Sequence, residues 1–122
     1  MPTRTSWIVP GHVFLLTLSG IVTLEELTPI RAEIKAALEA ATKLHYLIDL
    51  RTLQDIPNVE GLRYVLGRSG SFRHSKTGSV AILGGSDDAK LIFKSAATAL
   101  HLRLGIFEDE DPALNFLAEA DI

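Results

Sequence analysis

The sequence predicts an α/β domain: one mixed, mostly parallel five-stranded sheet carrying helices in the order ββαβαβαβα, with residues 1–122 forming a single domain. Short β-rich runs alternate with segments whose apolar residues recur three or four positions apart, the helical period. A Pro-Gly turn near the start joins the first two runs as an antiparallel pair. The later runs are far enough apart for helical crossovers, which are right-handed and place helices against parallel strands. No repeat, low-complexity segment or linker divides the chain.

The first two strands are TSWIV and VFLLTLSG, separated by Pro10-Gly11-His12, where proline sets φ and glycine accepts positive φ. After Gly20, Leu27, Ile30, Ile34, Leu38 and Ala41 align on one face of the longest helix. Its start has two readings: Thr23 with Glu26 fits a capping box, and Thr28 before Pro29 fits an N-cap and first helical residue. A turn followed by a kink or restart at Pro29 is expected. Tyr46 to Leu50 is apolar without alternation except at Asp49, as in a strand covered on both faces, and RTLQDIPN follows as a polar loop.

A second helix is predicted to start near Asn58, with Val59, Leu62, Val65, Leu66 and Phe72 inward. SVAIL, residues 79–83, is a further buried strand. Ser86 then caps a helix whose stripe is Ile92, Phe93, Ala96, Ala97 and Leu100. LRLGIF forms the last strand, and Asp111-Pro112 opens a short helix with Leu114, Phe116 and Leu117.

Composition narrows the function. With 47% hydrophobic and 22% charged residues the chain is a globular domain, and a net charge of -3 gives no general field for polyanions, which argues against nucleic acid. The absence of cysteine excludes disulfides, thiol nucleophiles and thiolate metal sites. No run approaches the roughly 18 apolar residues of a membrane span, and the N-terminus lacks a signal-type apolar region, so a cytoplasmic protein is expected.

Leu18-Ser19-Gly20, the LIDL run from Leu47 to Leu50, and Gly61-Leu62, in this order along the predicted elements, resemble the STAS domain of bacterial anti-sigma-factor antagonists and sulfate-transporter tails. The similarity spans nearly the whole chain and is greatest to the divergent STAS-like or SEC14-like branch. The resemblance implies a regulatory module. In phosphoswitched members the second helix opens on a D-S-S/T-G-L-type motif whose first serine takes a phosphate. Matching Gly61-Leu62 to that motif puts Asn58 at the aspartate, Val59 at the acceptor and Glu60 at the second hydroxyl position. Valine has no hydroxyl, so the added charge of about -1.5 to -2 that drives such a switch has nowhere to attach here. Glu60 supplies a single fixed charge, which a helix N-terminus favours irrespective of any switch.

No catalytic constellation emerges. GGSDDAK, residues 84–90, lacks both G-x-G-x-x-G and the Walker pattern, and Asp87 and Asp88 would repel a phosphate, so it reads as a capped helix start. Asp49 reads as an acceptor of loop N–H groups rather than a general base or metal ligand. His12, His45, His74 and His101 lack metal-binding spacing and read as dispersed surface or loop residues. The serines near His74 form no triad, and Trp7 reads as packing at the sheet edge. The expectation is therefore a non-enzyme with no metal and no cofactor.

Two binding readings follow. The first is a regulatory or scaffold module docking a protein partner through Asp55, Asn58, Val59, Glu60 and Leu62. The second is a small anionic or amphiphilic, lipid-like ligand held by Arg63, Arg68, Arg73 and Lys76, which carry positive charge with no intervening acid, beside Tyr64 and Phe72. Exposed sheet edges, on the first strand with Trp7 or on LRLGIF, invite pairing into a homodimer.

Overall fold

The computed structural model describes residues 3–57, 59–60 and 76–119. The N-terminal hairpin forms as its turn chemistry requires: β1 (Thr3–Val9) runs antiparallel to β2 (Val13–Leu18). Gly11 takes φ 80, and the His12 N–H closes the turn on the Val9 carbonyl at 2.9 Å. Trp7 is half-buried, its ring edge-on to Phe14 at 5.0 Å, so it packs on the sheet edge as the sequence suggested.

The main sheet continues with β4 (Leu44–Asp49), β6 (Thr77–Leu83) and β7 (Leu104–Phe107) in spatial order β1-β2-β4-β6-β7, every pair after the hairpin being parallel. A monotonic order with right-handed crossovers puts successive crossover helices on one face. Accordingly α1 (Leu24–Ala40) and α2 (Asp87–Ala99) share a core with Phe14, Leu16, Tyr46, Ile48, Val80 and Ile82. The opposite face, with Val13, Leu47, Ala81 and Leu83, is covered by α3 (Glu110–Glu119) through Ala113 and Leu117.

Both central strands are therefore buried on two sides, and all of β6 is buried. This explains their unbroken apolar runs. Each fully buried leucine, isoleucine or phenylalanine contributes about 1.5–3 kcal/mol. Burial also pushes the Tyr46 phenol pKa up, against a Thr77 hydrogen bond that lowers it.

The predicted α1 face is the observed one: Leu27, Ile30, Ile34, Leu38 and Ala41 are all buried. Its start lies where the Thr23 reading placed it, without the capping-box bonds that reading carried. The helix begins at Leu24 and runs through Pro29 without a restart. Thr23 is the N-cap but makes no side-chain cap bond, and Glu26 Oε2 has no hydrogen-bond partner among the described residues, so the capping box does not form. An interior proline costs about 3 kcal/mol. Burial of Leu27 and Ile30 on either side of it is of comparable size and holds the helix together.

The sequence also missed a second, two-stranded sheet. β3 (Gly20–Ile21) pairs in parallel with β5 (Leu53–Asp55), inside the segment read as a polar loop. Elsewhere the boundaries shift slightly: β7 begins at Leu104 and α3 at Glu110. The Ser86 cap is present, its hydroxyl accepting the Ala89 N–H at 3.2 Å. Ile92, Phe93 and Ala97 are buried as expected, with Ala96 and Leu100 packed against the same core.

Candidate functional site

The carboxyl ends of β4 and β6 carry the two segments that build the candidate site. After β4, Asp49 folds the chain back. Its Oδ1 accepts the Arg51 backbone N–H at 3.0 Å and Nε at 3.1 Å, and its Oδ2 accepts Arg51 Nη2 at 2.9 Å. Partial burial would raise the Asp49 pKa, but the hydrogen bonds and charge of Arg51 together hold it below the usual carboxylate value. Asp49 thus fixes the loop, as the sequence reading preferred. The Gly20 N–H then donates to Thr52 O at 3.0 Å and the Val22 N–H to Asp55 O at 2.9 Å, clamping β5 beside β3. Ile56 drops into the core, and Val59 and Glu60 are helical.

After β6 the chain turns sharply through Gly84 and Gly85, at φ 67 and 91, into the Ser86 cap of α2. A Cβ at Gly85 would sit 2.7 Å from Leu50 Cβ, so this turn lies close against the end of β4.

Between the two segments lies an open groove of about 390 Å³. Ile56, Val59, Ala89 and Ile92 give it an apolar lining, and Leu91 stands at its edge with 53% exposure. Asp55 and Asp88, both exposed, add carboxylates to the same lining. Gln54 and Ser86 complete a mixed lining, in which apolar patches lie beside acidic and polar groups that can attract cations. No group of three or more His, Asp or Glu side chains suited to a metal occurs among the described residues.

Of the residues predicted for partner binding, Asp55 and Val59 line this groove. Glu60 is exposed and outside its lining, whereas Asn58 and Leu62 lie outside the described residues. Arg63, Arg68 and Arg73 of the predicted anion site also lie outside them. Lys76 is half-buried, and its Nζ donates to Leu38 O at 3.1 Å near the C-terminal end of α1. Sequence reasoning missed Ile56, Asp88, Leu91 and Ile92 as neighbours of Val59. One signal was available: Leu91 is a large apolar residue set off the predicted stripe of its helix.

The architecture matches solved structures over almost its full length. The anti-sigma factor antagonist SpoIIAA in its unphosphorylated form superposes with a TM-score of 0.64 at 17% identity, covering 95% of this chain and 97% of that one. The chain has the SpoIIAA fold. An uncharacterised DUF3478-family protein from Shewanella loihica PV-4, described as having a SpoIIAA-like fold, matches with a TM-score of 0.62 at 21% identity, over 86% of this chain and 83% of its own. The phosphorylated form of SpoIIAA, a Bacillus cell fate determinant, gives 0.57 at 15% identity, over 93% and 96%. No family model and no curated protein sequence matches the chain. The SpoIIAA likeness agrees with the STAS-like α/β architecture read from the sequence. No helix among the described residues is long and apolar enough to cross a membrane.

Proposed function

We propose that this chain is a non-catalytic regulatory or scaffold module that docks a protein partner in the groove between β5 and α2. The observation that carries this reading is the exposed Leu91 beside a groove whose lining joins Val59 and Ile92 to Asp55 and Asp88. Charge complementarity selects the occupant: a partner segment presenting apolar side chains flanked by lysine or arginine. Recognition by shape and fixed charge needs no phosphate, in keeping with valine at position 59, where the resemblance to phosphoswitched domains would put the acceptor serine. SpoIIAA, a structural neighbour, is itself an anti-sigma factor antagonist, which supports a regulatory role.

The test is a photo-crosslinking amino acid at position 91, with the captured peptide identified by mass spectrometry. A basic, apolar segment of one protein is expected, and Val59→Asp in the same chain should abolish its capture. Capture that survives Val59→Asp, or that maps to an acidic segment, would overturn the reading.

A second reading, a small amphiphilic ligand, draws on the groove volume, which falls within the roughly 300–1,000 Å³ of ligand pockets. Native mass spectrometry of gently purified protein separates the two. A retained added mass that Leu91→Asp removes indicates a ligand, and a bare chain speaks for the protein partner.

A further inference from the structure

At the other end of the parallel strands, where β4 and β6 begin and the chain enters β7, a second cavity of about 240 Å³ opens. Lys43, His45, Ser79, His101 and Arg103 contribute to its lining, and no carboxylate does. The backbone here departs from regular pairing. Between the Leu44–Thr77 and Tyr46–Val80 pairs, β4 has only His45 while β6 has both Gly78 and Ser79. The extra residue makes a β-bulge, a device that re-aims side chains and recurs beside functional sites.

The bulge accommodates an imidazole. His45 is 1% exposed, and its Nδ1 accepts the Ser79 N–H at 2.9 Å. That bond fixes the orientation of the ring against β6. A Cβ at Gly78 would fall 2.5 Å from both Cε1 and Nδ1 of this ring, so glycine there makes the room. The sequence reading of the four histidines as dispersed surface residues is thus corrected for His45, which is buried and shares a cavity with His101.

Arg103 is held from several sides. Its Nη1 donates to Phe116 O at 2.7 Å and to Ser79 Oγ at 3.3 Å, and its guanidinium lies 3.7 Å from the centre of the Phe116 ring. Glu119, outside the cavity lining, approaches Nη2 at 3.6 Å, but both side chains are substantially exposed and such a pair is weak. A guanidinium carries five N–H donors in a fork that suits oxyanions. His101, exposed at the end of α2, has a positive φ of 58, a conformation few non-glycine residues adopt.

We propose that this cavity binds a phosphate-type oxyanion, free or carried on a small molecule. Lys43 and Arg103 bring two cationic side chains to the lining, the exposed His101 adds an imidazole, and no carboxylate lines the hollow itself. The volume is below the roughly 300 Å³ at which pockets for drug-sized molecules begin, which suits a compact anion. This site is separate from the groove and does not rest on the partner reading.

The experiment is an NMR titration of isotopically labelled protein with inorganic phosphate at constant ionic strength, with chloride as the control. Saturable shifts at His45, Ser79, His101 and Arg103 are expected, with Asp88 and Leu91 unmoved. Lys43→Gln and His101→Gln, both at exposed positions, should each weaken phosphate binding by about tenfold while the rest of the spectrum stays native. Glycerol phosphate in place of inorganic phosphate distinguishes the source: tighter binding indicates a carried phosphoryl group, weaker binding the free anion. Equal shifts with chloride, or unchanged affinity in both variants, would overturn the proposal.

Discussion

Gly78 and His45 should be energetically coupled, and a double-mutant cycle measures how strongly. Gly78 does not have the left-handed φ that strains other residues, so an alanine backbone is tolerated there and would by itself stabilise by about 0.4–1 kcal/mol through the unfolded chain. The added Cβ, however, would meet the His45 ring at 2.5 Å. Overpacking of this kind costs about 1–3 kcal/mol. Displacing the ring also strands the buried Ser79 N–H, at about 1–3 kcal/mol more. Gly78→Ala is therefore expected to destabilise by about 1–5 kcal/mol, lowering the urea midpoint by about 0.5–2.5 M at an m-value of about 2 kcal/mol/M. In a His45→Ala background the ring is gone, and the same Gly78→Ala change should be neutral or stabilising by up to about 1 kcal/mol. The assay is urea unfolding of the four proteins, followed by circular dichroism and tryptophan fluorescence. Equal costs in the two backgrounds, within about 0.5 kcal/mol, would refute the packing argument.

Further outcomes follow from the same geometry. Ser86→Ala removes the hydroxyl that accepts the Ala89 N–H and should cost about 1 kcal/mol, read from the thermal midpoint; an unchanged midpoint would show that the cap does not contribute. Because the folded-state pKa of Asp49 lies below its ordinary 3.8, its stabilisation is complete above that value and is lost as pH falls through the folded-state pKa. Asp49→Asn should flatten the acid limb of stability measured by urea unfolding across this window, and a limb as steep as in wild type would contradict the assignment. His101 follows the α2 C-cap in a left-handed conformation, with its N–H on Thr98 O at 3.1 Å and the Leu102 N–H on Ala97 O at 3.0 Å. This is a Schellman arrangement in which glycine is usual. His101→Gly should raise stability by about 0.5–1 kcal/mol in differential scanning calorimetry, and a loss of stability would show that the imidazole contributes more than its strain costs.

The elements that could be read directly are those whose burial is determined nearby in the chain. β4 and β6 are visible as apolar runs because a central parallel strand is covered on both faces. The α1 face is visible because one helix packs one stripe on one sheet, and the Ser86 cap because donor and acceptor lie three residues apart. The pairing of β3 with β5 escaped because two- and three-residue strands carry no period, and their bonds join segments about thirty positions apart. The continuity of α1 through Pro29 escaped for another reason: local preference was outweighed by the burial of Leu27 and Ile30 against the sheet.

The same division holds for function. Residue types alone determined the α/β order, the lack of thiol chemistry and the absence of a hydroxyl at position 59. Val59 and Asp55 could be named from their place in the chain, but that Leu91, Ile92 and Asp88 complete a groove with them was decided by folding, which brings the ends of β4 and β6 side by side. His45 carries the clearest case. Whether an imidazole lies in water or in a cavity beside Arg103 depends on one extra residue in the neighbouring strand and on the missing side chain of Gly78, contacts across the sheet that no local pattern encodes.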